Sequence, residues 1–328
     1  MNCNRHLVLF CLQLYLCLFC TQRAVGQHTF TLMEWNVENL FDTHHDSLKN
    51  DQDFTPDGSY HWTKSRYWRK LDNVAQTIVA AGGENGLPAL VGLCEVENDS
   101  VLHALVHRSA LRKVGYQYVM TKSPDWRGID VALLYNPVLF RLHDWHAVRV
   151  PSLENGFTPT RDILYVTGNL STGDTLHIVV CHLPSKAGGG QKARKHRTLA
   201  VETLRGVVDS VLTASPEAKL LVMGDYNASF EEKIFRQLCP PLRETLPTSR
   251  SALLKAVGTY YFQEQWSYLD HILVSDAFWR WQGEPKAHEC RLPFLLDEKG
   301  APHRTYRGPA YNGGISDHLP LLLHINVP

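Results

Sequence analysis

Six short apolar runs in this chain begin or end on a small polar cluster, and that recurrence constrains the fold more than any other feature. Trp35-Asn36-Val37-Glu38-Asn39 closes the run Thr29–Val37, and Cys94-Glu95-Val96-Glu97-Asn98 closes Ala89–Cys94. Cys181-His182-Leu183-Pro184-Ser185-Lys186 closes Leu176–Cys181, and Gly224-Asp225-Tyr226-Asn227 follows Leu220–Met223. Tyr268-Leu269-Asp270-His271 opens the run Leu269–Val274, and Ser316-Asp317-His318 precedes Leu319–Val327. Runs of this length rich in Val, Ile and Leu read as strands, as do Ile129–Tyr135, Phe140–Val150 and Ile163–Leu170. Strand ends on one edge of a sheet converge on a single cleft with rigid backbone behind each side chain.

Helices are fewer. The spacing of Tyr67, Leu71, Val74 and Ile78 predicts a helix over 64–81, with Thr63 as N-cap and Gly82-Gly83 as the stop. A second begins at Asn98 or Asp99 with Val101, Leu102, Leu105 and Val106 on its apolar face. A third spans about 191–212 with Leu204, Val207, Val208 and Val211. More strands than helices, several close enough in sequence to be antiparallel neighbours, favour two mixed sheets packed face to face with helices outside. No repeat or low-complexity linker divides residues 27–328, which read as one domain. The polar stretches Phe41–Trp62 and Gly283–Ser316 read as surface loops around a site.

The first 26 residues stand apart. Arg5 and His6 precede an apolar run from Leu7 to Cys20, shorter than the roughly 20 residues a membrane-spanning helix needs. With Ala24-Val25-Gly26 behind it, the segment reads as a cleaved secretory signal, so a secreted or periplasmic protein is expected. Bulky Leu18-Phe19 before Cys20 argue against a lipoprotein anchor. Four cysteines remain beyond the signal: Cys94, Cys181, Cys239 and Cys290. An oxidising compartment allows three pairings, but Cys94 and Cys181 sit in apolar runs and read as buried thiols. Lys+Arg and Asp+Glu both number 33, which excludes the electropositive bulk of a dedicated nucleic-acid binder.

Any one polar cluster alone is ordinary, since an acid after a strand is commonly a turn residue or cap. Together, in this order, they carry chemistry. The set resembles the endonuclease/exonuclease/phosphatase superfamily, with its DNase I-like fold, over about residues 30–325, as an exported bacterial-type member. The resemblance implies a four-layer α/β/β/α sandwich and divalent-metal-dependent cleavage of a phosphoester. It implies Glu95 as the principal metal ligand, Asn36 beside metal and scissile phosphate, and Asp317 as the metal-side acid of the Ser-Asp-His motif. Glu38 stands where some members have a second acidic metal contact, usually aspartate. Asp225 and Asn227 match the pair that positions the nucleophile and contacts phosphate. His318 matches the catalytic histidine, Asp270 the acid that orients it, and His182 a second histidine of DNase- and sphingomyelinase-like members. Abasic-site endonucleases have asparagine near that last position, so His182 points away from that branch.

The chemistry of these residue types agrees. Oxygen donors without thiolate favour a hard cation, Mg²⁺ by default with Mn²⁺ or Ca²⁺ as alternatives. A histidine paired with a carboxylate has its tautomer fixed and its basicity raised. The division of base and acid roles among Asp225, His182 and His318 stays open. Arg127, in Trp126-Arg127-Gly128-Ile129-Asp130, is a candidate phosphate contact, and Asp130 a candidate partner for His182. Lys186 opens a Gly- and cation-rich segment through Lys192, Arg194, Lys195 and Arg197 that suits extra phosphates or a solvated helix start. His44, His45, Trp62 and Trp126 fall in the expected rim loops, where an aromatic can stack on a base or sugar.

The leading expectation is an exported phosphodiesterase of nuclease type acting as a monomer on a phosphoester, nucleic acid among the candidates, with no stable protein partner. The alternative enzyme is a phosphatase or phospholipase C-type hydrolase of inositol phosphate, sphingomyelin or a nucleotide. A noncatalytic binding module is the alternative of another class. Such a module is expected to have lost one of Asn36, Glu95, Asp225, Asn227, Asp270, Asp317 or His318, and all seven are present.

Overall fold

The computed structural model describes residues 28–152, 159–186, 190–247 and 258–327, so the expected signal segment lies outside the described residues. The first strand shows how the layers arise. In β1 (His28–Leu40), Phe30 and Leu32 enter one hydrophobic core, while Met33, Trp35 and Val37 enter another. Successive strand side chains point to opposite faces. A strand apolar on both faces must lie inside a layered fold.

In chain order there follow α1 (Lys64–Ala81), β2 (Leu90–Val96), α2 (Asp99–Arg108), β3 (Gln117–Met120), β4 (Asp130–Tyr135) and β5 (Phe140–Val148). Then come β6 (Ile163–Leu170), β7 (Thr175–His182), α3 (Gly190–Ala214), β8 (Leu220–Asp225), α4 (Lys233–Leu238) and β9 (Leu242–Glu244). A hairpin of β10 (Tyr260–Phe262) and β11 (Gln265–Ser267) precedes β12 (Asp270–Ser275), α5 (Asp276–Gln282) and β13 (Ala287–Glu289). A small pair, β14 (Tyr306–Arg307) and β15 (Ala310–Tyr311), leads to β16 (Leu321–Val327). One six-stranded sheet has the order β13-β16-β1-β2-β4-β3 and the other β5-β6-β7-β8-β12-β9. Both are mixed: β1 runs parallel to β2 and β7 to β8, while β16 and β12 are antiparallel to β1 and β8.

Three cores separate four layers. The inter-sheet core takes Leu32, Cys94, Val131, Ile178, Val180, Met223 and Ile272. Outside the first sheet, Trp35, Val37 and Leu93 pack with Leu71, Val74, Leu102 and Leu105 of α1 and α2. Outside the second, Val179, Cys181 and Val222 pack with Val201, Leu204 and Val208 of α3. This is the expected α/β/β/α sandwich. Thr63 caps α1, accepting from Arg66 N at 3.4 Å, and Asn98 caps α2, accepting from Val101 N at 3.0 Å. All four cysteines of the described residues are free thiols.

Several expectations change. The last strand begins at Leu321 rather than Leu319, because Pro320 has no N–H for the ladder. Strand Phe140–Val150 stops at Val148, shortly before Pro151. The stretch Gly283–Ser316 is not loop throughout, since β13 pairs with β16 and β14 with β15. These strands are two or three residues long, too short for a period of two to show.

The close pairing of β7 and β8 depends on one glycine. Gly224 pairs with Cys181 and has φ +152°, and a Cβ there would lie 1.8 Å from the Cys181 carbonyl oxygen. A contact with backbone cannot be relieved by a rotamer change. Gly224→Ala is expected to destabilise the protein by about 3 kcal/mol or more, read as a lower denaturation midpoint in urea. Unchanged stability would contradict the close approach of β7 and β8.

Candidate active site

The strand directions bring the polar clusters to one edge. Asn36 and Glu38 lie at the end of β1, Glu95 at the end of β2, His182 at the end of β7 and Asp225 at the end of β8. Asp270 opens the antiparallel β12, and Asp317-His318 precede the antiparallel β16. His182, Asp225 and Asp270 are direct register partners across β7, β8 and β12, so they form one row on one face. All but Asp270 line a single cleft of about 690 Å³, together with Asn227, Arg127 and Lys186. Asp270 is fully buried behind His318.

On the second sheet the row is tightly coupled. His318 Nδ1 and Asp270 Oδ2 are 2.7 Å apart. His182 Nε2 lies 3.4 Å from Asp225 Oδ2, and His318 Nε2 lies 4.0 Å from both Asp225 Oδ2 and Asp317 Oδ1. Asn227 donates its backbone N–H to Asp225 Oδ1 at 2.8 Å, and Asn36 Nδ2 donates to Asp225 Oδ2 at 3.0 Å. Burial disfavours charge on Asp225 and, with Asp270 adding to it against His318, pushes its pKa up to about 7. Burial also opposes charge on His318, but Asp270, Asp225 and Asp317 outweigh it and hold the pKa well above the usual histidine value. His182 goes the other way. Burial first, then Arg161, Arg127 and His318, hold it well below that value, leaving a neutral ring. The two histidines of one cleft are therefore pushed in opposite directions.

On the first sheet the groups are oxygen donors. Glu95 has φ +65° at a bulge where β2 shifts register against β4 between Cys94 and Val96. The bulge re-aims its carboxylate into the cleft. Glu95 Oε2 accepts Asn39 N–H at 2.9 Å, with Arg127 3.5 Å from Oε1. Asp317 Oδ2 accepts from Arg304 at 2.6 Å, and Glu38 Oε2 accepts Thr305 N–H at 2.6 Å. Burial, with Asp317 beside it, pushes the Glu38 pKa up to about 7 against the opposing Lys70. Ser316 Oγ donates to Asn36 O at 2.6 Å and Trp35 Nε1 to His318 O at 3.0 Å, tying β1 to the Ser-Asp-His turn. The donor set of Glu95, Asp317 and the Asn36 carboxamide is all oxygen and fits a hard divalent cation. Glu38 is a further oxygen donor on the cleft wall, with one oxygen committed to Thr305 just as Glu95 and Asp317 each have one committed to Asn39 and Arg304.

The row of Asp225, Asp270 and His318 also has donor atoms within 4.8 Å of one another. The Asp270–His318 hydrogen bond already uses one nitrogen and one oxygen of that group.

Among the described residues, five of the eight non-glycine positions with positive φ line this cleft: Glu38, Asn39, Glu95, Asn227 and Gln263. Strained backbone concentrates at functional sites, where it aims side chains that regular strand geometry would turn away.

Other expected residues are placed elsewhere. Asp130 is not a partner of His182: it lies on the first sheet and accepts from Ser123 N–H at 2.9 Å and from the Thr121 hydroxyl. His182 Nδ1 has no hydrogen-bond partner. Arg127 donates to Asn39 Oδ1 at 2.7 Å, and Lys186 pairs with Glu232 at 2.5 Å. Arg197 is buried and donates to Pro184 O and Asn227 O, so it braces the loop instead of facing a ligand. Residues 187–189 and the Lys192 side chain lie outside the described residues. His44, His45, Trp62 and Trp126 do not line the cleft.

Four residues that support or flank the catalytic-candidate side chains, among others of the cleft wall, escaped the sequence reading. Lys70, nearly fully buried, donates to Glu38 O and to Thr305 Oγ1 at 2.7 Å beneath the oxygen donors. Its signal was available, because position 70 falls on the same helical face as Tyr67, Leu71 and Val74. Arg304 pairs with Asp317, and Arg161 donates to Leu183 O at 3.0 Å beside His182. Tyr260 packs its ring 4.8 Å from the His318 ring. No local pattern distinguishes these three in the sequence.

A family model described as the Endonuclease/Exonuclease/phosphatase family matches residues 31–327. A search of curated protein sequences returns no match. Among solved structures, a Bacteroides thetaiotaomicron endonuclease/exonuclease/phosphatase family protein superposes with TM-score 0.61 at 16% identity, covering 92% of this chain and 99% of its own. The human Nocturnin catalytic domain, solved with bound sulfate, gives 0.58 at 17% identity, covering 91% and 95%. Truncated Caenorhabditis elegans TDP2 gives 0.58 at 14% identity, covering 91% and 98%.

Proposed function

This chain belongs to the endonuclease/exonuclease/phosphatase family, and from that premise we propose that it hydrolyses a phosphodiester with a divalent cation held by Glu95, Asp317 and Asn36. One observation carries the reading. The His318–Asp270 pair and the Asp225 carboxylate face these oxygen donors across one cleft. A bound cation would offset the negative charge that cleavage builds on the phosphate oxygens. Asp225, poised near neutrality, is placed to hold and take a proton from water, and Asn36 and Asn227 fix its orientation. His318, charged and held by Asp270, donates towards the phosphoryl oxygens, and neutral His182 adds a further hydrogen-bonding group at the same carboxylate.

These roles set a pH profile. Activity is expected to rise through about pH 7 as Asp225 loses its proton, and to fall again when pH passes the raised pKa of His318. In Asp270→Asn the largest group sustaining that raised pKa is gone, so the descending limb should move to lower pH. A pH–kcat/KM series on both proteins checks the shift, and an unmoved descending limb contradicts the assignment of charge to His318.

A compact phosphoester substrate is a second reading, favoured by the cations of the cleft. Arg127, Arg161 and Lys186 all hold protein partners instead of forming an open basic track. Mg²⁺-dependent turnover of bis(p-nitrophenyl) phosphate, DNA, RNA, sphingomyelin, inositol phosphates and nucleotides, each with and without chelator, tests both readings. Diester turnover abolished by chelation is expected. Turnover indifferent to chelation would overturn the cation's role, and no turnover of any member would overturn hydrolysis. Preference for nucleotides over polymers would favour the compact substrate.

A further inference from the structure

Beside the cleft, and sharing Glu38 and Asn39 with it, lies a smaller pocket of about 210 Å³ walled by Phe54, Tyr60, Trp62 and Tyr306. The rings form a connected box. Phe54 and Tyr60 have centroids 4.9 Å apart, Tyr60 and Tyr306 4.7 Å, and Trp62 and Tyr306 6.0 Å. Phe41 stacks on Phe54 at 4.3 Å from the core side and holds that wall in place. The polar ends of two rings are already satisfied: Trp62 Nε1 donates to Phe41 O at 3.0 Å and Tyr306 OH to Tyr60 O at 2.8 Å. Trp62 and Tyr306 are buried and close the pocket, so the half-buried rings of Phe54 and Tyr60 are what an incoming group meets, as π-face and edge.

Volume and charge narrow the occupant. The pocket is smaller than the roughly 300–1,000 Å³ that encloses a whole drug-sized ligand, so it takes one ring of a larger molecule. An aromatic box can also hold a quaternary ammonium, but here cations stand around it. Arg304 lines the pocket, and Arg66 donates to Tyr60 O at 2.7 Å from behind. The one carboxylate on the wall, Glu38, has an oxygen committed to Thr305. Two guanidiniums, Arg304 paired with Asp317 on the wall and Arg66 behind, stand against a cationic guest, whereas a neutral ring meets no such opposition.

We propose that this pocket is a ring subsite that takes the planar heteroaromatic base of a nucleotide whose phosphate lies in the neighbouring cleft. The proposal rests on the phosphoester reading for the position of the phosphate, and it adds the class of substrate. It is independent of which bond is cleaved.

Binding tests it without turnover. Adenosine 5′-monophosphate, ribose 5-phosphate and phosphocholine are titrated into the full chain, with Trp fluorescence and calorimetry as readouts. Adenosine 5′-monophosphate is expected to bind about tenfold or more tightly than ribose 5-phosphate, the scale of one base stacked on an aromatic side chain. It should also quench tryptophan emission. Phe54→Leu keeps an apolar wall while removing its π-face, and Tyr60→Ala opens the opposite wall. Each folded variant should lose most of that preference with little change for ribose 5-phosphate. Equal affinity for the first two probes, no binding of adenosine 5′-monophosphate, tighter phosphocholine, or a preference surviving in both variants would overturn the subsite. The two readings fail separately. A base preference in a protein that hydrolyses nothing keeps the subsite and removes the hydrolase, whereas hydrolysis without base preference does the reverse.

Discussion

Glutamine in place of Glu95 is expected to leave the fold intact and lower activity by at least about 100-fold, with a parallel loss of divalent-cation affinity. Partners that merely orient a metal ligand already cost about 10- to 100-fold when removed, so the ligand itself belongs at the upper end or beyond. The amide keeps an oxygen for Asn39 N–H, which holds the bulge, and loses only the charge facing the cleft. Titration calorimetry with Mn²⁺ on wild type and variant is the direct measurement. Unchanged affinity in a folded variant would reject Glu95 as the main ligand, however low its activity.

The second large effect concerns the histidine that this cleft keeps charged. His318→Ala is expected to cost about 10³-fold in kcat/KM, within the range for loss of a positioned acid–base group. Asp270→Asn should cost less, because it disturbs tautomer and charge but leaves the imidazole in the cleft. The double variant should be close to His318→Ala alone, since an orienting partner has nothing left to orient. Four proteins compared on one diester, with circular dichroism to confirm folding, complete the cycle. Fully multiplicative losses would mean that Asp270 acts on something other than His318.

The legible part of this site was its set of strand-end side chains, and the reason is physical. Apolar runs such as Leu220–Met223 and Ile178–Cys181 are buried on both faces, so an acid or imidazole at their ends stands out against them. Alternation correctly sends Cys181 to the α3 side and His182 to the cleft. It does not suffice for Glu95, which reaches the cleft only through a left-handed backbone angle that Cys94-Glu95-Val96 does not advertise. The β10–β11 hairpin and the supports at Lys70, Arg161 and Arg304 are long-range partners. Their roles depend on which loop arrives beside them, and local pattern contains no such information. Trp62 shows the same limit: a rim residue by its surroundings in sequence, it is buried in the wall of a separate pocket.

The hydrogen bond from Asn36 to Asp225 joins residues 189 positions apart and bridges the two sheets. Neither sheet owns the site, so a chain that has formed both sheets but not docked them has every secondary element and no working centre. Contacts of such sequence separation form late, because loop closure must precede them. Regain of activity after dilution from denaturant should therefore trail the recovery of far-ultraviolet dichroism. Enzymatic turnover then becomes a stopwatch for sheet docking, the last act of this chain's assembly.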